Sequence, residues 1–196
     1  MKALNLVVLT AAAAALLLSG CKDAPNATGA TKAAAAPVSI AAIEAEARGI
    51  SVGSQMSART VYVFFDPQCP HCAALWESAK PLKSQARFVW IPVGIMNKAS
   101  TAQGATILAA KDPIAAMDEH EASLLANKGG IAAAGDIEPM KESIAKNTAL
   151  MTRFGFSSIP TIVAKHAQTG ALVTREGGLA TPALASFLGL QAPEAK

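Results

Sequence analysis

Cys69-Pro70-His71-Cys72 sets two thiols two residues apart, directly behind the apolar run Val61-Tyr62-Val63-Phe64-Phe65 and the turn dipeptide Asp66-Pro67. At that spacing a cysteine pair closes into one strained, readily exchanged disulfide. A helix beginning near Pro70 puts Cys69 at its N-terminus, where unpaired N–H groups and the helix dipole stabilise a thiolate, and Cys72 one turn in as its partner. Pro70 suits that first turn because it has no N–H to leave unpaired and its φ is already helical. His71 places an imidazole beside Cys69, and its cationic form lowers a neighbouring thiol pKa. Cys69 is therefore expected to be the exposed, attacking sulfur and Cys72 the resolving one. Asp66 reads either as a charge that relays a proton from Cys72 or as a solvated turn carboxylate.

Other uses of the tetrapeptide fit less well. Structural zinc needs four ligands, and there is no second Cys pair, while His120 and His166 are distant in sequence and read as surface residues. Haem attachment needs a His after the second Cys, where Ala73 stands. Pro and His between the thiols do not suit an inert buried pair. The rival to redox chemistry is a carrier of soft Cu(I), bound through Cys69, Cys72 and a third ligand such as His71 or His166. No resident metal is expected on the redox reading. Trp76 and Trp90 read as core residues.

The elements that position the pair follow from periodicity. Residues 61–65 and 88–93 are uncharged, β-branched and aromatic, as in strands covered on both faces. Residues 39–48 read as a short helix stopped by Gly49 and Gly53, and residues 70–84 as a helix that Pro81 kinks or ends. A helical block follows at 101–110, 113–127 and 138–153, broken at Lys128-Gly129-Gly130. Runs 161–164 and 171–174 around Gln168-Thr169-Gly170 predict a hairpin, and 181–188 a last helix. Strand, helix, strand, helical block, hairpin and helix in that order is an α/β arrangement, the thioredoxin fold with an inserted helical subdomain at about residues 100–154. In that plan Ser158-Ile159-Pro160-Thr161 stands where a cis-proline loop is expected.

The chain has 196 residues, 52% of them hydrophobic and 16% charged, enough for one domain with a real core. A net charge of +3, without a basic cluster interleaved with aromatics, gives no argument for nucleic acid. Lys2 followed by an apolar stretch and Leu18-Ser19-Gly20-Cys21 describes an export signal at 1–20, and its end resembles the bacterial lipobox, in which the Cys is lipidated. Cys21 is then a lipid anchor. Residues 21–37, rich in Ala, Thr, Gly and Pro, read as a flexible tether. Residues 38–58 read as a linker helix and loop, 59–190 as the catalytic domain and 191–196 as a tail. With Cys21 used for lipid, Cys69 and Cys72 are the pair left in a disulfide-permissive compartment. Lys22 after Cys21 resembles the pattern that sorts lipoproteins to the outer membrane, so the expected location is the periplasm, anchored to that membrane.

The stretch from Val61 to Cys72, with Trp76, Ala109-Ala110-Lys111-Asp112-Pro113 and Glu121-Ala122-Ser123 in the insertion, closely resembles the DsbC/DsbG family of periplasmic thiol:disulfide interchange proteins over roughly residues 50–190. The resemblance implies a redox role for Cys69 and Cys72, with Pro70, His71 and Asp66 tuning them. It also implies a cis-proline at Pro160 and a substrate backbone that pairs with Ile159. No cofactor beyond the Cys69–Cys72 disulfide is implied, and the partners would be exported proteins and a membrane redox partner. Three features depart from the family. Residues 22–58 are too short and Ala-rich for its N-terminal dimerisation domain, so a monomer is expected. Pro70-His71 is the dipeptide of DsbA-type oxidases, and Ile159 replaces a Thr before the cis-proline. Oxidase or thiol reductase activity is therefore expected over efficient isomerisation, with a disulfide more oxidising than a typical thioredoxin's.

Overall fold

The computed structural model describes residues 34–194. Its elements run α1 (Ile40–Glu46), β1 (Ile50–Gly53), β2 (Thr60–Phe65), α2 (Pro70–Ala79), β3 (Arg87–Pro92), α3 (Lys98–Ala109), α4 (Pro113–Leu125), α5 (Glu138–Arg153), β4 (Thr161–Lys165), β5 (Leu172–Glu176) and α6 (Thr181–Leu188). One five-stranded sheet holds them in the order β1-β3-β2-β4-β5. β2 and β3 are parallel, joined through α2, and every other pairing is antiparallel. This is the expected thioredoxin fold with helices α3 to α5 inserted between β3 and β4.

The central strands show why an uncharged run was needed. Val61, Val63 and Phe65 of β2 and Phe88 and Trp90 of β3 enter one core with Leu75 and Trp76 of α2, Met117 of α4 and Leu184 of α6. The alternate residues Tyr62, Phe64 and Ile91 enter a second core with Ile43 of α1, Leu150 and Met151 of α5, and Phe154 just after it. A period of two thus feeds both faces of the sheet. Each fully buried side chain of this kind contributes about 1.5–3 kcal/mol. Trp76 stacks edge-on against Trp90 at 5.0 Å between ring centroids, and its indole N–H donates to Asp118 Oδ1 at 2.8 Å, tying α2 to α4.

Two differences from the expected layout involve the N-terminal side. Residues 50–53, expected within a linker, form β1, antiparallel to β3 with Ile50 opposite Trp90. Gly49 is required there because a Cβ would lie 2.6 Å from the Trp90 carbonyl, and Gly53 turns the chain at φ +99°. Neighbouring α1 is packed rather than free: Ile43 is buried, and the Tyr62 hydroxyl donates to Glu44. At the far end of the expected tether, the Ala36 N–H donates to the Arg153 carbonyl at 2.8 Å. Cys21 and the expected export signal lie outside the described residues. The helix expected over 70–84 ends at Ala79 and continues as a 3-10 turn, Lys80–Leu82, because Pro81 has no N–H for the α-helical ladder.

Candidate active site

β2 delivers the chain to Asp66, and a short loop carries it to Cys69, the N-cap of α2. The Cys69 Sγ accepts from the Cys72 N–H at 3.3 Å, occupying the place of a capping side-chain oxygen. Pro70 fills the first helical position, and both it and His71 are exposed. Across from them the Ile159–Pro160 peptide is cis, and the Ile159 carbonyl lies 3.9 Å from Cys69 Sγ, within reach of the thiol hydrogen. The neighbouring loop packs at van der Waals distance on the start of α2, since a Cβ on Gly178 would lie 3.4 Å from the His71 carbonyl. That loop and α2 enclose a pocket of about 300 Å³ lined by His71, Leu75, Ser78 and Leu179.

Both thiols are free, and both are buried. Cys69 is 3% exposed and Cys72 0%, so the expected exposed nucleophile is instead covered, by the cis-proline loop above it. Their acidities diverge. The hydrogen bond from Cys72 and the N–H groups at the helix start lower Cys69 to about 7, while burial works against the fall. Burial, then the neighbouring Cys69, push Cys72 far up. A thiolate therefore forms on Cys69 first, and Cys72 holds its proton. An attacking thiol near pH 7 is also typical of thioredoxin. Burial opposes what the helix start supplies, and His71 acts on Cys69 through its backbone.

Asp66 is neither solvated nor free. It is fully buried, and its carboxylate accepts from the N–H groups of Gln68 at 2.8 Å, Ile95 at 2.7 Å and Met96 at 3.0 Å. It staples the loop before Cys69 to the loop after β3, and its charge raises Cys69 slightly. The surface reading fails because three backbone donors converge where the side chain points inward.

His120 was expected on the surface and lies in the core. Its Nδ1 accepts from the Ile131 N–H at 3.1 Å, so Nε2 carries the proton and donates to the Pro67 carbonyl at 2.6 Å. Burial lowers its pKa, in keeping with the neutral ring those bonds require. Beside it stands Glu121, fully buried and also passed over as a site residue. A signal existed: Met117, His120, Glu121 and Leu124 share the inner face of α4 at helical spacing, masked by the polar run Asp118-Glu119-His120-Glu121. His166 is half-buried at the end of β4, with Nδ1 facing the N–H groups of Gln168 and Thr169. Among the described residues no three His, Cys, Asp or Glu side chains converge on a point where a metal could bind.

The thioredoxin-like domain family model matches residues 50–190, a span that includes β1. Among curated proteins, the thiol:disulfide interchange protein DsbG of Pseudomonas aeruginosa is 35% identical over 148 residues, which cover 71% of this chain and 55% of that protein. DsbG of Escherichia coli is 36% identical over 104 residues, covering 52% and 42% respectively. The chain thus spans about half the length of the curated relatives it matches. Among solved structures, Pseudomonas aeruginosa DsbA2 superposes with a TM-score of 0.58 at 21% identity, over 70% of this chain and 91% of that one. The catalytic domain of Proteus mirabilis ScsC gives 0.54 at 13% identity, over 76% and 91%. At these identities the superpositions speak to the fold.

Proposed function

Because the chain belongs to the thioredoxin-like domain family and is a homologue of the DsbG proteins, we propose that it is a periplasmic thiol:disulfide oxidoreductase acting on exported proteins. The observation that carries this reading is the Cys69–Cys72 pair at the start of α2, with Cys69 lowered to about 7 and Cys72 pushed up. In the reduced protein, Cys69 thiolate attacks a substrate disulfide, one substrate sulfur leaves as thiolate, and Cys72 then attacks Cys69 and releases the other. In the oxidised protein, a substrate thiolate attacks Cys69, Cys72 leaves, and a second substrate thiol takes the disulfide away. No external cofactor enters either direction.

The finer features are part of the same proposal. Ile159 offers main-chain groups beside Cys69, where an extended substrate can pair as in strand addition. The pocket between His71 and Leu179 accepts a substrate side chain. Exchange as oxidase or reductase is favoured over isomerisation, since α1 and β1 are built into the domain's own core and sheet rather than into a dimerising module. The protein acts as a monomer, anchored through a lipid on Cys21 at the outer membrane and recycled by a membrane redox partner. The Cu(I)-carrier reading finds less support, since His166 is occupied by its own turn.

Equilibration with glutathione buffers tests the activity. The Cys69–Cys72 pair should interconvert between dithiol and disulfide, and the oxidised protein should transfer its disulfide to a reduced, unfolded test protein. A pair that neither exchanges with glutathione nor oxidises or reduces that protein overturns the reading. Cys21→Ser should move the protein from membranes to the soluble fraction, and unchanged membrane association would remove the anchor from the proposal.

A further inference from the structure

Polar contacts from the insertion converge on Pro67 and Gln68, the two residues before Cys69. His120 is fully buried and commits both ring nitrogens: Nε2 donates to the Pro67 carbonyl at 2.6 Å, and Nδ1 accepts from the Ile131 N–H at 3.1 Å. Ile131 ends a loop, residues 126–131, whose backbone is left-handed at Asn127, Gly129 and Gly130. That loop lies so close on the ring that a Cβ on Gly130 would overlap it. It also grips Gln68, since the Gly129 carbonyl accepts from Gln68 Nε2 at 3.0 Å and from Gln103 Nε2 at 2.8 Å, while Gln103 Oε1 accepts from Gln68 Nε2 as well. A neutral imidazole has one donor and one acceptor, as this arrangement requires, whereas the cation has two donors. The contact to Ile131 therefore exists in one protonation state only.

We propose that His120 is a positioning residue for disulfide exchange, a latch that holds Pro67 and Gln68 against the insertion while its ring is neutral and releases the 126–131 loop when the ring takes up a proton. The inference rests on the activity proposed above. On protonation Nε2 keeps the Pro67 carbonyl, but the Ile131 N–H meets a second N–H and turns away. Gly129, two residues earlier, moves with it, and Gln68 loses the carbonyl it shares with Gln103. Attack on a disulfide sulfur is directional, so a Cys69 held less firmly reacts more slowly. Burial lowers the ring's pKa below its ordinary 6.5, against the Pro67 carbonyl and the Asp66 charge, so release falls on the acid side of that value. Asp66 is the charge that bears on the ring from the loop before α2, and it favours the cation. On α2, Cys69 and Cys72 carry no charge while disulfide-bonded, Glu77 is paired with Lys80, and His71 is exposed. Lys98 of α3 and Lys128 of the loop are exposed, and Glu121 on α4 itself is held neutral, chiefly by burial.

The test is reduction of the oxidised full chain by glutathione between about pH 5 and pH 8, with each rate divided by the concentration of glutathione thiolate. Neither Cys69 nor Cys72 titrates in the disulfide, so a step in this rate belongs to another group. In the native chain the rate per thiolate should fall about 10-fold as the pH drops through the His120 pKa, less than the roughly 100-fold that a displacement of about 1 Å can cost. Over the same interval the Ile131 amide should lose its protection against hydrogen exchange, while the amides of β2 keep theirs, which separates release of the loop from unfolding. His120→Gln keeps a donor and an acceptor but takes up no proton in this range, and it should remove both steps. His71→Ala should retain them. A rate per thiolate that stays flat, or a step that survives in His120→Gln and vanishes in His71→Ala, overturns the inference, whereas a native pair that does not react with glutathione at any pH overturns the activity instead. NMR of the native chain decides the matter without any variant: loss of Ile131 protection should share the midpoint of the His120 ring titration, and Ile131 protection that persists once the ring is protonated overturns the latch.

Discussion

His120 Nε2 donates to the carbonyl of Pro67 across 2.6 Å, so a helix of the insertion holds the loop that presents Cys69. The same ring accepts from Ile131, and Gln103 reaches the carbonyls of Gly129 and Ile131 at 2.8 and 2.9 Å. The insertion is thereby bonded to the active-site loop through buried polar groups, and its fold and the position of Cys69 are coupled.

His120→Ala should destabilise the protein by about 1–3 kcal/mol for each buried backbone group it leaves unpaired. Urea denaturation of the native and variant chains measures it. The pH dependence has a defined sign. Burial lowers the folded pKa of His120 below its ordinary 6.5, so the unfolded chain binds a proton that the folded chain refuses. Its contribution is complete above about 6.5 and falls away as the pH drops toward the folded value. His120→Gln should flatten the native chain's loss of stability between pH 7 and pH 5, and an unaltered slope would contradict this.

Asp66→Ala should cost on the order of 3 kcal/mol, because its buried carboxylate accepts from Gln68, Ile95 and Met96 and hydrogen bonds to charged groups are individually worth about 1.5–3 kcal/mol. Asp66→Asn keeps an acceptor and should cost less. Since the Asp66 charge raises Cys69, the Asn variant should also lower the pH at which Cys69 ionises. Thiolate absorbance during titration reads that shift, and a rise would contradict the assignment.

The order of elements was legible because each rests on local chemistry. Helices α5 and α6 occupy the residues expected, since Pro139 and Pro182 sit in their first turns and Gly189 closes α6 in a left-handed conformation. The strand β1 was not legible: three residues between two glycines carry too little pattern, and Gly49 is there for its approach to Trp90, a contact across the sheet. Cys69, Cys72 and Pro160 could be placed because a short motif and its order in the fold locate them. His120, Glu121 and Asp66 could not, since whether a polar side chain faces core or solvent depends on packing between helices far apart in sequence.

Iodoacetamide should modify one thiol of the reduced Cys69–Cys72 pair over the neutral range. The rate at Cys69 should rise through pH about 7, following its thiolate, while Cys72 remains unmodified because burial and the neighbouring sulfur hold its proton. Peptide mass mapping at several pH values distinguishes the two sites. Equal labelling at pH 7 would contradict the divergent acidities.

Trapping of mixed disulfides in cells tests the division of labour between the two sulfurs most directly. With Cys72→Ala the attacking thiol remains and the resolving one is lost, so exported proteins should accumulate in disulfide linkage to Cys69, as bands that collapse on reduction. With Cys69→Ala the remaining thiol of the pair is the fully buried Cys72, and no adducts should form through it. Adducts with Cys69→Ala and none with Cys72→Ala would contradict the account.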